Sequence, residues 1–244
     1  MSAVRQGLLL LQWQLRRGST SMPLLVVVQI AMAVATVVGY GLLVGDPTPD
    51  VALYLATGAP TITLITVGLV MTPQMLGQAK IEGSHDWMRT LPVPRWAFLA
   101  SDLLMWTLIA LPGMVLGIVA GVMRFDVQLS IAPWLVGAAL LVSLTSASVG
   151  YAMASVLPPM LAMLLTQVLV FVVLLFAPVS YPASRMPEWL QTAHEFLPIE
   201  PMAQVVRAGL ANDAFTVPGR SVVVLGVWCV ASVGAALVAL RRRA

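Results

Sequence analysis

Long uncharged apolar stretches alternate along the chain with short charged ones, and their lengths set the elements. A helix needs about 20 apolar residues to cross a hydrocarbon core about 30 Å thick. Stretches of that kind fall at residues 24–44, 51–76 and 97–122. From Val127 to Ser184 there follow 58 residues without a charge, too many for one crossing and enough for two. Leu157-Pro158-Pro159 divides them into 131–157 and 160–179, because consecutive prolines remove backbone donors and clash with the preceding turn. A last stretch at 220–240 closes on Arg241-Arg242-Arg243. The pattern predicts an all-α polytopic membrane protein, one transmembrane domain over residues 1–244 with six transmembrane helices.

Three further segments are patterned but do not cross. Residues 3–20 place Val4, Leu8, Leu11 and Leu15 on one helical stripe beside Arg5, Gln12 and Arg16, which predicts an interfacial helix lying along the membrane; Leu9, Leu10 and Trp13 blur the stripe. Residues 78–91 hold the densest charge in the chain, with Lys80, Glu82, His85, Asp86 and Arg89 interleaved with Ile81, Trp87, Met88 and Leu91. A short amphipathic helix fits there, ended by Pro92 and Pro94. A solvated cationic loop fits the charges equally, but an exposed Trp87 suits a protein contact better. The outer loop at 180–218 predicts two short interfacial or re-entrant helices, one after Pro187 over EWLQTAHEFL and one over 202–210, with Pro198 and Pro201 breaking the chain between them. They either cap the bundle or gate it.

Composition then removes whole classes of function. Hydrophobic residues make up 59% of the chain and charged residues 9%, against about 25% charged in an ordinary soluble domain. So few charges cannot cover a soluble surface, and so apolar a chain cannot stay disordered in water. The 13 basic residues form no nucleic-acid patch, Cys229 has no partner cysteine, and two histidines so far apart make no recognisable metal site. Basic residues also set the orientation. Arg5, Arg16, Arg17, Lys80, Arg89, Arg95 and Arg241–Arg243 share one side of a six-crossing topology, against Arg124, Arg185, Arg207 and Arg220 on the other. Both termini are therefore expected on the cytoplasmic side.

The two charged or proline-rich connections carry a resemblance. After the second crossing the chain reads Glu82-Gly83-Ser84, Trp87 and Leu91-Pro92; after the fifth it reads Tyr181-Pro182, Met186-Pro187-Glu188-Trp189-Leu190, Pro198 and, further on, Arg207. In this order and sidedness the chain resembles the membrane subunit of ABC-2 type transporters. The resemblance implies an exporter permease of a bacterial cytoplasmic membrane, moving an amphipathic, drug- or lipid-like substrate. It implies that residues 78–91 form a coupling helix against a separate ATPase subunit, with Glu82, Gly83, His85, Asp86, Trp87 and Arg89 as contacts. It also makes Pro187, Trp189, Leu190, Pro198 and Arg207 candidates for an outer gate. ATP and magnesium would be held by that partner, and a second permease copy or homologue would complete the unit. The chain itself has no phosphate-binding loop of the form G-x-x-x-x-G-K-[ST], since its single lysine, Lys80, is followed by Ile81.

Inside the crossings, Thr61, Thr63 and Thr66 of the second and Gln167 of the fifth are pathway candidates, though threonine-rich faces serve helix packing as readily. No crossing carries a charge at mid-depth, which disfavours a proton-coupled carrier. Other readings stay open: a glycan or peptide permease, a non-transporting membrane anchor, and an intramembrane hydrolase built on Ser146 or Ser148.

Overall fold

The computed structural model describes residues 3–18, 22–90 and 93–242. The chain is 83% helical, and no strand occurs among the described residues. The helices in chain order are α1 (Ala3–Gly18), α2 (Met22–Val44), α3 (Pro49–Thr66), α4 (Thr72–Ile81), α5 (Ser84–Arg89), α6 (Arg95–Phe125), α7 (Leu135–Val156), α8 (Pro159–Phe176), α9 (Glu188–Phe196), α10 (Ile199–Leu210) and α11 (Gly219–Arg242). A π-helical turn, Val67–Met71, joins α3 to α4 without a break. Among the described residues six helices are long and apolar enough to cross a membrane: α2, the continuous α3–α4 rod from Pro49 to Ile81, α6, α7, α8 and α11.

Burial sorts them into a centre and a rim. The α3–α4 rod is 83% buried over its crossing window, whereas α8 and α11 are each 17% buried. That order follows composition. The rod is the least hydropathic of the six, and its small and hydroxylated residues let neighbours approach closely. The rim helices present Leu, Val and Phe outward, including Leu164, Val168, Phe171 and Leu175 on α8 and Val223, Val227 and Val230 on α11. Such an exterior suits lipid and would not suit water.

Close approach at the centre is set by glycine. On α6, a Cβ at Gly117 would stand 2.9 Å from Pro60 Cα, and one at Gly121 would stand 2.9 Å from Ala56 O. Gly68 and Gly150 bring the rod and α7 together, where a Cβ on Gly150 would meet the Gly68 carbonyl oxygen at 2.1 Å. Pro73 explains the π-helical turn. Proline cannot donate to the carbonyl four residues back and its ring pushes that carbonyl away, and the backbone widens so that Thr72 N–H bonds Val67 O. The Thr72 hydroxyl donates to the same oxygen at 3.1 Å.

α1 has two faces, which accounts for the blurred stripe. Gly7, Leu10 and Gln14 turn toward the bundle, Gly7 lying against Ala97, while Val4, Leu8 and Leu9 stay exposed. The rod also runs four residues into the segment expected to be the coupling helix, stopping at Ile81 because Gly83 takes a left-handed φ of 73°. The second outer helix begins earlier than Met202, at Ile199, with Pro201 in its first turn, where no intrahelical donor is lost.

Gly150→Ala should cost about 1–3 kcal/mol, the usual penalty for overpacking a tight contact. The measurement is the thermal unfolding midpoint in detergent. Gly226→Ala, where the added carbon meets nothing within 4 Å, should leave that midpoint unchanged.

Candidate functional site

Two regions gather the residues singled out by the sequence, one at each end of the bundle. At the end that carries the termini, the α3–α4 rod turns through Gly83 into α5. Ser84 Oγ donates back to Ala79 O at 3.2 Å and Gln78 Nε2 donates to Glu82 Oε1 at 2.7 Å, bracing the turn. Lys80 Nζ donates to Ala154 O at the C-terminal end of α7, holding the rod's end against its neighbour. His85 is buried and packs edge-on against Phe98 of α6, with ring centroids 5.8 Å apart. Trp87, two residues on, is 54% exposed. Its ring lies 5.9 Å from that of Trp13 on α1. Ile81, Glu82 and Gly83 are also exposed. The result is a firmly seated short helix with an aromatic knob facing out. The side chains of Asp86 and Arg89, together with Leu91 and Pro92, lie outside the described residues.

One polar pair at this end was not singled out as a pair by the sequence. Asp102 of α6 and Gln14 of α1 are both buried, and Gln14 Nε2 donates to Asp102 Oδ1. A lone carboxylate within an apolar helix and a glutamine on the inward face of an amphipathic helix are the available signals, but nothing in the sequence joins positions so far apart.

At the far end, Pro187 caps α9 and is exposed, Trp189 is 71% exposed, and Leu190 is half-buried. A 2.7 Å ion pair from Arg220 to Glu195 and a 2.8 Å bond from Trp228 Nε1 to Phe196 O tie α9 to α11. Pro198 is buried and starts α10, whose last residues sink into the bundle. Arg207 therefore sits apart from the α9 residues, 5% exposed and inside the protein. Its Nη2 donates to Val179 O, its Nε to Thr57 Oγ1 at 3.3 Å, and its guanidinium lies 4.1 Å above the Tyr54 ring. Burial pushes Arg207 down to about 10, still far enough above neutrality to keep its charge. A cavity of about 340 Å³ between Tyr54, Pro182, Glu200, Arg207 and Phe215 opens beside it.

Thr61, Thr63 and Thr66 are buried along the rod, and Thr61 and Thr63 donate to their own helix at Thr57 O and Pro60 O. Gln167 lies on the exposed face of α8. Ser146 donates to the carbonyls of Leu64 and Ser143, and Ser148 shares a 2.6 Å bond with Ser232. Both hydroxyls are thus committed to helix packing.

A sequence model of the family described as ABC-2 type transporter matches residues 5–211, which takes in α1, both connecting segments and five of the six crossings. No curated protein matches the chain.

Arg207→Met should destabilise the protein by about 1–3 kcal/mol, the cost of leaving the Val179 carbonyl buried without a donor. Arg207→Lys should recover part of it, as read by thermal unfolding in detergent. His194 is buried on α9, which lowers its pKa, opposed by a backbone hydrogen bond at Phe176. The unfolded chain takes up a proton at the ordinary imidazole pKa while the folded chain resists it. Stability present above about pH 6.5 is therefore lost as pH falls below that value. The unfolding midpoint should drop between pH 7.5 and 5.5 in the unmodified chain and change less in His194→Gln.

Proposed function

The chain belongs to the ABC-2 type transporter family, and we propose that it is the permease half of an ATP-driven exporter of the bacterial cytoplasmic membrane. It is a multi-pass transport component of the membrane. On our reading both termini face the cytoplasm, ATP and magnesium are held by a separate ATPase subunit, and a second permease copy or homologue completes the assembly. The substrate is amphipathic, drug- or lipid-like, in keeping with a bundle interior of aliphatic and hydroxyl side chains.

The observation that carries this reading is the exposed Trp87 on a seated α5. An indole left half in solvent on a short helix anchored by His85 and Phe98 suits the buried centre of a protein contact. Glu82 and Gly83 stand exposed beside it, and Asp86 and Arg89 share the same short segment. Because the turn is braced to the end of the α3–α4 rod by the Gln78–Glu82 and Ser84–Ala79 hydrogen bonds, force applied at α5 would be delivered to the most buried helix of the bundle. The outer residues Pro187, Trp189, Leu190 and Pro198 are then the elements that would part on the opposite side, with buried Arg207 of α10 as the proposed point that holds the gate to the bundle. Thr61, Thr63 and Thr66 are the polar positions proposed along the route inside the bundle, and Gln167, on the outward face of α8, joins it only where the proposed second permease copy covers that face.

Affinity purification of the chain from its native host in mild detergent should recover a stoichiometric protein bearing a phosphate-binding loop. Trp87→Ala and Glu82→Ala should reach the membrane at normal level and bring down at least several-fold less of that partner. Recovery of the chain alone, even after cross-linking, would remove the coupling assignment.

A further inference from the structure

The end of the bundle beneath α5 holds an open cavity of about 290 Å³ that shares Glu82 and His85 with the proposed coupling segment and runs inward from them to Asp102 and Trp106. Its walls come from α1, α2, α4, α5, α6 and α7. Most of that wall is soft and apolar: the rings of Trp13 and Trp106, and the thioethers of Met75, Met88 and Met105. Two carboxylates interrupt it, Asp102 in a buried position and Glu82 in an exposed one. Among the described lining residues there is neither lysine nor arginine, and His85 is the single imidazole. Gln14 is more than nine-tenths buried; its amide nitrogen is committed to Asp102 while its Oε1 has no hydrogen-bond partner.

This combination has a chemical meaning. A buried carboxylate is costly unless a cation or donors compensate it; Asp102 has a donor in Gln14, but among the described lining residues it has no lysine or arginine to balance its charge. The unpartnered amide oxygen of Gln14, itself buried, adds a second acceptor on a residue that lines the same cavity. Aromatic faces attract organic cations, and methionines adapt to ligands of varied outline. A volume near 300 Å³ is at the lower end of what small-molecule sites occupy.

We infer that the cavity between Gln14, Met105, Trp106 and Asp102 is a binding site for a lipophilic organic cation, an aromatic or alkyl ammonium or phosphonium, with Asp102 supplying the counter-charge. The inference builds on the permease reading in one respect: it gives the proposed amphipathic substrate a positive charge. Binding itself needs no ATPase and no second subunit.

The test uses the purified full chain in nanodiscs of zwitterionic lipid, with radiolabelled tetraphenylphosphonium as the probe. Tetraphenylborate, of nearly the same shape and opposite charge, is the control. Saturable binding of the cation is expected, with no saturable binding of the anion. Asp102→Asn should weaken the cation's affinity at least tenfold. Met105→Trp, which fills the cavity and keeps the carboxylate, should abolish binding and so carries the test if Asp102→Asn does not fold. Equal binding of both probes, or cation binding untouched by either substitution, would overturn the site. Such a result would leave the permease reading standing, because that reading depends on the ATPase co-purifying. Loss of that partner would in turn leave a measured cation site intact.

Discussion

A backbone carbonyl inside hydrocarbon has no water to fall back on, so each one freed from its helix must find a donor within the protein. This chain carries 17 prolines, many of them inside or beside its crossing helices, and each strips a donor from the backbone. The repairs organise the fold. Thr72 serves Val67 O at the break before Pro73. Gln29 of α2 donates to Ile109 O at 2.9 Å, one residue beyond the Leu108 carbonyl that Pro112 leaves without its helical donor, passing close over Gly113. Two tyrosines, Tyr40 and Tyr181, donate to Leu174 O and Leu175 O at the end of α8, where Pro178 follows and cannot. Arg207 serves Val179 O and Lys80 serves Ala154 O. Four of these bonds link different crossings or tie a connecting helix to the bundle, and two of them, from Tyr40 and Lys80, serve carbonyls four residues before a proline, so part of the prolines' cost becomes cross-bracing of the bundle.

The same logic explains which side chains are buried and polar. Asp102, Gln14, Gln29 and Arg207 are all under one-tenth exposed, and each meets a specific partner reached from another helix. Polar groups in such positions set register and orientation more than they add stability. They are also why α1, which the sequence alone would lay flat on the membrane, is fastened to α6 through a hydrogen bond.

Much of the architecture was legible because membrane crossing is a matter of length and polarity, and both can be counted along one strand of text. The rod's central position was legible in principle too. It is the crossing richest in threonine, and it faces α6 across Gly117 and Gly121, four residues apart on one face. What resisted reading was long-range pairing. Gln14 with Asp102, and Arg207 with Thr57, are separated by 88 and 150 positions, and no local pattern announces them. The end of α4 and the start of α10 shifted for a different reason. Proline and glycine act through backbone angles: Gly83 stops one helix by going left-handed, while Pro201 sits harmlessly in a first turn.

The π-helical turn before Pro73 rotates the faces of the rod that follow it. An α-helix advances about 100° per residue, and a π turn holds one residue more than the α turn it replaces. Everything from Thr72 onward is therefore rotated by about one residue's azimuth relative to the face that α3 presents to its neighbours. Gly68 can meet α7 while Lys80, a dozen residues on, still reaches the end of that same helix. Seen this way the bulge is a phase corrector: it sets the direction in which the rod hands over to Gly83, and with it the compass bearing at which Trp87 leaves the protein.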